Sequence, residues 1–346
     1  MLKKIKYFFL LLIILLAGLT SYYISTDDQY TVRRERLIKA PQNLIYQQIA
    51  DLKNWPKWAP WKDKDSLIKF EFSASTKKEG DYVRFIDNDG NPQKITNLTL
   101  RPDSLILQDM SGGDQSQTLK WTLKPTEKGV KLTWSITGDL HPMQRLFNQK
   151  MDPLVGPFMS RGLELIGRAV KKDMNKHEMH ILKTVDLSDT YYIYRTAACR
   201  LDSLNAQLDK TLPSVIIYAI KNKIETNGKP LVIYNKRDVS NNSVIFSAAV
   251  PTRERIDTND NQILTGKLPG GLYLKVKYRG AYQYLPQAWQ QTKAYIQSNP
   301  NLIEDTTRDA FEEYAVGHTK SLNPADWITY LYVPIIETKP KEIEIQ

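Results

Sequence analysis

The first pattern along the chain is an uncharged, mainly hydrophobic stretch from Tyr7 to Ile24. Such a stretch is just long enough for a helix that crosses a bilayer. Three lysines precede it within the first six residues, and Asp27 and Asp28 follow it. This asymmetry predicts a single-pass inner-membrane anchor, with a cytoplasmic N-terminus and the remaining chain in the periplasm. A cleavable signal peptide is the alternative, although the residues after Leu16 form no small-x-small cleavage site.

The next region alternates polar and apolar residues over short runs separated by turn sequences, which predicts an antiparallel meander. Its predicted strands are Tyr30–Ile38, Leu67–Phe72, Asp81–Ile86, Lys94–Leu100, Ser104–Gln108, Gln117–Leu123 and Val130–Thr137. A short helix is predicted to begin at Pro41. A long closing helix carries apolar residues at steps of three and four from Val155 to Val170, and this stripe must pack on the sheet.

The last region contains a weak internal repeat of strand, helix, strand and strand. The elements predicted for the first copy are Tyr191–Arg200, Leu201–Lys223, Pro230–Tyr234 and Ser243–Val250. Those predicted for the second copy are Gly271–Tyr278, Leu285–Ser298, Ala310–Tyr314 and Trp327–Val333. The shared order predicts two β-α-β-β units related by a pseudo-twofold axis, with a groove between them suited to a ligand.

Composition excludes several classes of protein. Of the 346 residues, 41% are hydrophobic and 25% are charged, which is typical of a globular chain and not of a disordered one. The single cysteine, Cys199, allows neither an internal disulfide nor a multi-cysteine metal site. The net charge is +10, but the basic residues are spread along the chain, so we predict no nucleic-acid partner.

The first folded region resembles the SRPBCC superfamily of START, Bet v 1 and polyketide-cyclase-like domains. The resemblance rests on RLIKAPQNLIY at 36–46, on the tryptophan-rich DLKNWPKWAPW at 51–61 and on the order of elements. It implies a helix-grip domain whose curved sheet wraps the last helix around a cavity for a hydrophobic ligand. Trp55 and Trp58 would then line this cavity; alternatively, they seal a helix against the sheet.

The repeated region resembles the GyrI-like, or AraC/MerR effector-binding, domain. The matching segments are LPGG at 268–271, YRGAYQYL at 278–285, FEEY at 311–314 and DWITYLYVP at 326–334. Membership implies binding of small organic molecules, often cationic and aromatic. Some members are attached to DNA-binding helices and a few are reported as hydrolases. The usual helix-turn-helix segment is absent from this sequence, so we expect no direct transcriptional control.

Strand alternation indicates which side chains of this region share a face: Glu312 with Tyr314, and Tyr330 with Tyr332. A carboxylate framed by tyrosines suits a cationic aromatic ligand, through charge pairing and cation–π attraction. The family's final strand often carries a glutamate where this chain has Tyr330, so the charge must come from Glu312, with Glu313 second. The predicted ligand-binding residues here are Glu312, Tyr314, Tyr330, Tyr332, Tyr282 and Trp289. Trp289 belongs to an apolar helical stripe, so it is interpreted as a core residue first and as a pocket residue second.

Signals for catalysis are weak, because the sequence has no phosphate-binding glycine loop and no nucleophile elbow. His177 and His180 stand three residues apart near the predicted end of the long helix but lack a third ligand, so we predict no metal and no cofactor. Binding is therefore predicted over catalysis. A hydrolase or isomerase acting on a hydrophobic small molecule, and a structural partner-binding module of the cell envelope, are the alternatives.

The sequence thus predicts an α+β chain in four segments. Residues 1–28 form a transmembrane anchor, 29–184 a helix-grip antiparallel sheet domain, 185–336 a pseudo-twofold duplicated β-α-β-β domain and 337–346 a C-terminal tail. The predicted function is extracytoplasmic binding of a hydrophobic or aromatic, including cationic, small molecule. The predicted partners are that ligand and the membrane, and the sequence indicates no particular protein partner.

Overall fold

The computed structural model describes residues 2–64, 68–87, 89–113, 115–147 and 150–337. Leu67, at the start of one predicted strand, and the predicted tail beyond Glu337 lie outside the described residues. The chain divides into two compact units between Lys172 and Asp173, which is earlier than the predicted boundary at 184/185.

Helix α1 (Leu2–Ser25) covers the predicted membrane segment. Within it, Lys6–Ser25 has a mean hydropathy of 2.1 and is 0% buried in the fold. Its length and composition allow it to cross a bilayer, and a signal sequence would have the same properties. Three residues separate α1 from the first strand, which begins at Gln29.

The described part of the first unit contains seven strands: β1 Gln29–Ile38, β2 Phe70–Phe72, β3 Tyr82–Ile86, β4 Pro92–Arg101, β5 Leu105–Gly112, β6 Gln115–Thr126 and β7 Gly129–Asp139. They form one antiparallel sheet in the order β1-β7-β6-β5-β4-β3-β2. Strand β1 pairs with β7 from Gln29 opposite Asp139 to Ile38 opposite Val130. The predicted meander is therefore confirmed.

The helices of this unit after α1 are α2 Gln42–Ala50, α3 Pro60–Lys64, α4 Pro142–Leu146 and α5 Asp152–Met174. Leu163, Ile166 and Val170, from the predicted apolar stripe of α5, are buried. The helix lies so close to the sheet that a Cβ atom on Gly162 would stand 2.7 Å from the indole of Trp134. Glycine at this position is therefore what permits the close approach.

The second unit contains β8 Glu178–Leu187, β9 Thr190–Arg200, α6 Leu204–Lys221, β10 Leu231–Asp238, β11 Ser243–Pro251, β12 Leu264–Leu268, β13 Gly271–Arg279, α7 Leu285–Ser298, β14 Leu302–Glu304, β15 Phe311–Val316 and β16 Ile328–Glu337. Its sheet has the order β12-β9-β11-β10-β15-β16-β13-β8, with β14 on β16. The copies β9-α6-β10-β11 and β13-α7-β15-β16 take mirrored places on either side of the β10–β15 pair. This arrangement matches the predicted duplication.

Strand β8 replaces the predicted tail of the closing helix. Helix α5 ends at Met174, and β8 pairs with β13 in the second sheet. Met179 and Ile181 alternate with polar residues and pack on the core of the second unit. This two-residue spacing of apolar side chains favours a strand over a continued helix. His180 therefore lies on a strand, and His177 precedes it with its ring stacked on Tyr284 at 4.3 Å.

Candidate functional site

Glu312 lies on β15 at the centre of the second sheet, where the two repeats meet. Strand β15 pairs with β10 of the first repeat and with β16 of the second. Leu331, directly opposite Glu312, packs with Leu285 and Trp289 of α7, so this face of the sheet is the one that α7 covers. The Glu312 side chain is 0% exposed on this face.

Three neutral side chains donate hydrogen bonds to the Glu312 carboxylate. Oε1 accepts from the Tyr234 hydroxyl at 2.9 Å and from the Trp289 indole Nε1 at 2.5 Å. Oε2 accepts from the Tyr314 hydroxyl at 2.7 Å, so Glu312 and Tyr314 share a face as strand alternation predicts. We call these four residues, Tyr234, Trp289, Glu312 and Tyr314, the Glu312 cradle.

Burial in the cradle destabilises the charged form of Glu312. Burial raises the pKa of Glu312, because removal from water disfavours the charged carboxylate; its three hydrogen bonds and the field of Arg237 oppose this effect without cancelling it. Burial, and then the carboxylate, raise the pKa values of Tyr234 and Tyr314 well above their usual range. Both hydroxyls therefore remain protonated donors.

No cationic side chain among the described residues lies within 4.0 Å of the Glu312 carboxylate. Arg237, which contributes to its electrostatics, has its guanidinium 5.7 Å from the centre of the Tyr234 ring. Its Nε is buried and has no hydrogen-bond partner within the described chain, and the same holds for Oγ1 of Thr329, which lies opposite Tyr314 on β16. Both atoms are therefore buried polar donors whose hydrogen bonds are unmade within the described chain.

Further aromatic rings lie at the outer side of the cradle. The Tyr282 ring meets Tyr314 edge-on at 5.2 Å and lies 4.5 Å from Trp327. Its hydroxyl faces Gly317, where a Cβ atom would come within 2.9 Å. Tyr282 and Trp327 are both half-buried, so they form the border between the cradle and solvent.

The structure does not bring Tyr330 and Tyr332 to Glu312. In the antiparallel register Leu331 lies opposite Glu312, so its two neighbours project from the other face of the sheet. There Tyr332 stacks on Phe311 at 4.5 Å, and its hydroxyl donates to Glu313 at 3.4 Å. The expectation that these two tyrosines frame Glu312 is therefore wrong.

Three residues of the site were not predicted from the sequence: Tyr234, Trp327 and Arg237. Tyr234 had a usable signal, because the repeat aligns the segment 231–234 with 311–314 and thereby places Tyr234 at the position of Tyr314. Pairing of the two central strands then directs both tyrosines at one carboxylate. For Trp327 and Arg237 we find no comparable pattern.

In the first domain, Trp55 and Trp58 are buried in the core. Their indole nitrogens donate to backbone carbonyls of α2 at 3.0 and 2.8 Å. Trp58 packs edge-on against Trp121 at 5.9 Å, and Trp121 stacks on Trp134 at 4.2 Å. Trp55 and Trp58 therefore pack among aromatic rings and hold the helix against the sheet, as the alternative to a cavity lining expects.

A cleft of about 760 Å³ lies elsewhere in the first domain, along β2, β3 and the turn into β4. Its lining combines apolar Phe85 and Ile86 with charged Arg84, Asp87 and Lys94. It does not include Trp55 or Trp58.

Among the described residues, no three His, Cys, Asp or Glu side chains are grouped as a metal site. The imidazole of His180 lies 3.7 Å from the carboxylate of Glu178. Nδ1 of His177 instead lies 3.0 Å from the backbone carbonyl oxygen of Asn175.

The geometry defines a helix-on-sheet domain followed by a duplicated domain with a buried acidic, aromatic site. Residues 29–171 match the family described as polyketide cyclase / dehydrase and lipid transport. Residues 191–336 match the GyrI-like small molecule binding domain. The chain therefore carries a polyketide-cyclase-like domain of the SRPBCC type followed by a GyrI-like domain, as both resemblances imply.

Several solved structures are similar to parts of this chain. The Zhui aromatase/cyclase from Streptomyces sp. R1128 is 13% identical, with 42% of this chain and 96% of the other covered at a TM-score of 0.34. The C-terminal domain of EcmrR is 12% identical, with 47% and 99% covered at a TM-score of 0.40. Protein CV1439 from Chromobacterium violaceum is 18% identical, with 41% and 96% covered at a TM-score of 0.33. No curated protein matches the chain significantly.

Proposed function

We propose that this chain is a membrane-tethered, extracytoplasmic binding protein whose GyrI-like domain holds a cationic aromatic small molecule at the Glu312 cradle. One observation carries the proposal: a fully buried carboxylate receives three neutral donors and, among the described residues, no cation within 4.0 Å. An unpaired buried carboxylate opposes folding. A ligand cation that reaches it would offset that cost.

The surroundings of the carboxylate favour an aromatic or quaternary cation over a small hydrated ion. The rings of Trp289 and Tyr314 lie next to the carboxylate, and Tyr282 packs against Tyr314 at the half-buried edge of the site. Aromatic faces attract organic cations and also supply stacking area. Oε2 accepts a single hydrogen bond from the described residues, so one of its lone pairs is open to a protonated amine.

The tether is proposed from the properties of α1. Along most of its length, its apolar segment of 20 residues packs against no other part of the described chain, since 0% of it is buried. Lysines on its amino side and Asp27 and Asp28 on the other favour an N-terminus in the cytoplasm. A soluble mature chain that begins after Ala17 or Ser21 would overturn the tether and leave the ligand site unaffected.

The ligand site is tested with two probes of equal shape, benzyltrimethylammonium and its neutral isostere neopentylbenzene. Both are titrated calorimetrically into the full chain in detergent. Glu312→Gln removes the charge and keeps the shape, because the amide oxygen can still accept from Trp289 while the amide nitrogen donates to a tyrosine oxygen. Glu313→Gln is the matched control, because this neighbour lies on the opposite face of the sheet.

We expect Glu312→Gln to weaken binding of the cation by at least roughly 30-fold, about 2 kcal/mol, because a desolvated charge would lose its partner. The neutral probe should bind equally before and after the change, and Glu313→Gln should affect neither probe. Equal affinity of the cation for the native and Glu312→Gln proteins would remove Glu312 from the site.

A further inference from the structure

The end of α1 is clamped to the first domain by one arginine. Arg145 of α4 donates through Nη2 to the carbonyl oxygens of Tyr23 at 2.8 Å and Thr26 at 2.9 Å. Its guanidinium also lies 4.1 Å from the centre of the Tyr23 ring. Carbonyls in the last turn of a helix have no partner within the helix, so this arginine caps α1 as well as holding it.

The connection between α1 and the sheet has little freedom. The amide of Leu140 donates to the carbonyl of Asp28 at 2.7 Å, and Gln29 already pairs with Asp139. Only three residues lie between α1 and β1. The orientation of α1 therefore determines where α4 lies relative to any membrane that α1 crosses.

Helix α4 and the residue that ends it, Phe147, present an apolar face that nothing in the described chain covers. Met143 is 55% exposed and Phe147 is 72% exposed. They stand four residues apart, and the amide of Phe147 donates to the carbonyl of Met143, so the two side chains project from one side of the turn. We call Met143 and Phe147 the docking face.

The depth of the docking face relative to a bilayer that α1 crosses follows from the length of α1. Its 20-residue apolar segment Lys6–Ser25 measures roughly 30 Å, about the thickness of the hydrocarbon core. Tyr22 and Tyr23 at its end therefore lie at the level of the headgroups, where aromatic side chains are enriched. Because Arg145 holds α4 against Tyr23, the docking face lies at this level too.

We propose that the docking face inserts into the lipid bilayer beside α1 and fixes the first domain on the membrane surface. This inference rests on the proposed tether and adds a second, interfacial contact to it. The occupant is the bilayer, because the face is continuous with the membrane helix through the Arg145 clamp. Apolar side chains at the headgroup boundary gain by leaving water for the acyl chains.

Fluorescence quenching by lipid-borne nitroxides tests the proposal. The full chain, with Cys199→Ser as background, carries an NBD fluorophore at one of three positions, introduced as Phe147→Cys, Leu37→Cys or Leu15→Cys. Leu37 is the matched control, because it is 45% exposed and lies at the opposite end of β1 from Gln29. Leu15 lies within α1 and reports on the tether itself. The vesicles are phosphatidylethanolamine and phosphatidylglycerol with nitroxide on the acyl chains.

We expect the labels at Phe147→Cys and Leu15→Cys to lose most of their emission and the label at Leu37→Cys to keep it. If only the Leu15→Cys label is quenched, the docking face stays in water; the proposal is then wrong and the tether stands. If no label is quenched, the tether and the docking both fail. Quenching of all three labels would also overturn the proposal, because it would show that lipid contact is not specific to α4.

Discussion

The close approach of α5 to the sheet can be tested with one methyl group. Gly162→Ala places a Cβ atom 2.7 Å from Cζ3 of Trp134 and 3.0 Å from Cγ of Pro60. Trp134 has little room to retreat, because its ring is stacked on Trp121 at 4.2 Å and has Phe158 at 6.0 Å. The added methyl group therefore overpacks a site that is already full.

Gly167, on the same helix, is the matched control, because the nearest atom to its Cβ position is 4.0 Å away. Alanine in a helix interior is favoured over glycine by about 1 kcal/mol. Overpacking a filled core costs about 1–3 kcal/mol. We therefore expect Gly167→Ala to raise the free energy of unfolding by about 0.5–1 kcal/mol. Gly162→Ala should lower it by up to about 2 kcal/mol, because the cost of overpacking outweighs the helical gain.

Urea unfolding followed by tryptophan fluorescence reports on this domain, because five of the seven tryptophans lie between residues 55 and 134. If Gly162→Ala proves as stable as Gly167→Ala, Trp134 can move into open space. In that case the core around Trp134 is not fully packed, and the reasoning from its ring contacts is wrong.

Two further predictions concern the Glu312 cradle, and hydrogen exchange of peptides from β15 and β16 measures both. The folded pKa of Glu312 lies above its ordinary value of 4.5, so the contribution of this group to stability is full below that value and is lost as the pH rises through the folded pKa. Glu312→Gln should therefore be more stable than the native protein at neutral pH. An unchanged or lower stability of this variant would contradict the direction of the pKa shift. Trp289→Phe removes one donor and should cost about 1–3 kcal/mol more at high pH than at low pH, whereas a loss equal at both would reflect only the smaller ring.

Periodicity was sufficient to predict most elements of the fold. Helix α7 begins and ends at the predicted Leu285 and Ser298, because a proline at its second position and a regular apolar stripe mark it. Strand β8 was missed because its segment carries several charged residues and follows the long helix closely along the chain. Its alternation of Met179 and Ile181 becomes decisive only when β13 is available to pair with it.

The arrangement of the site was harder to predict, because it depends on register. Alternation shows that Tyr330 and Tyr332 share one face, but it does not show which face of the neighbouring strand they join. A shift of one residue moves every side chain of a strand to the other face. With Leu331 opposite Glu312, the tyrosines that reach the carboxylate are Tyr234 and Tyr314.

The pseudo-twofold symmetry gives an internal reference for the burial of Glu312. The repeat aligns Val232 of β10 with Glu312 of β15, and the two residues lie directly opposite each other across the axis. Both side chains are 0% exposed, so the equivalent buried position of the first repeat accepts an apolar residue. Packing alone therefore does not require a carboxylate at this place, and ionising one there opposes folding. A site selected for binding a cation would show such a residue: a carboxylate, Glu312, at a buried position beside aromatic rings where an apolar residue would be more stabilising.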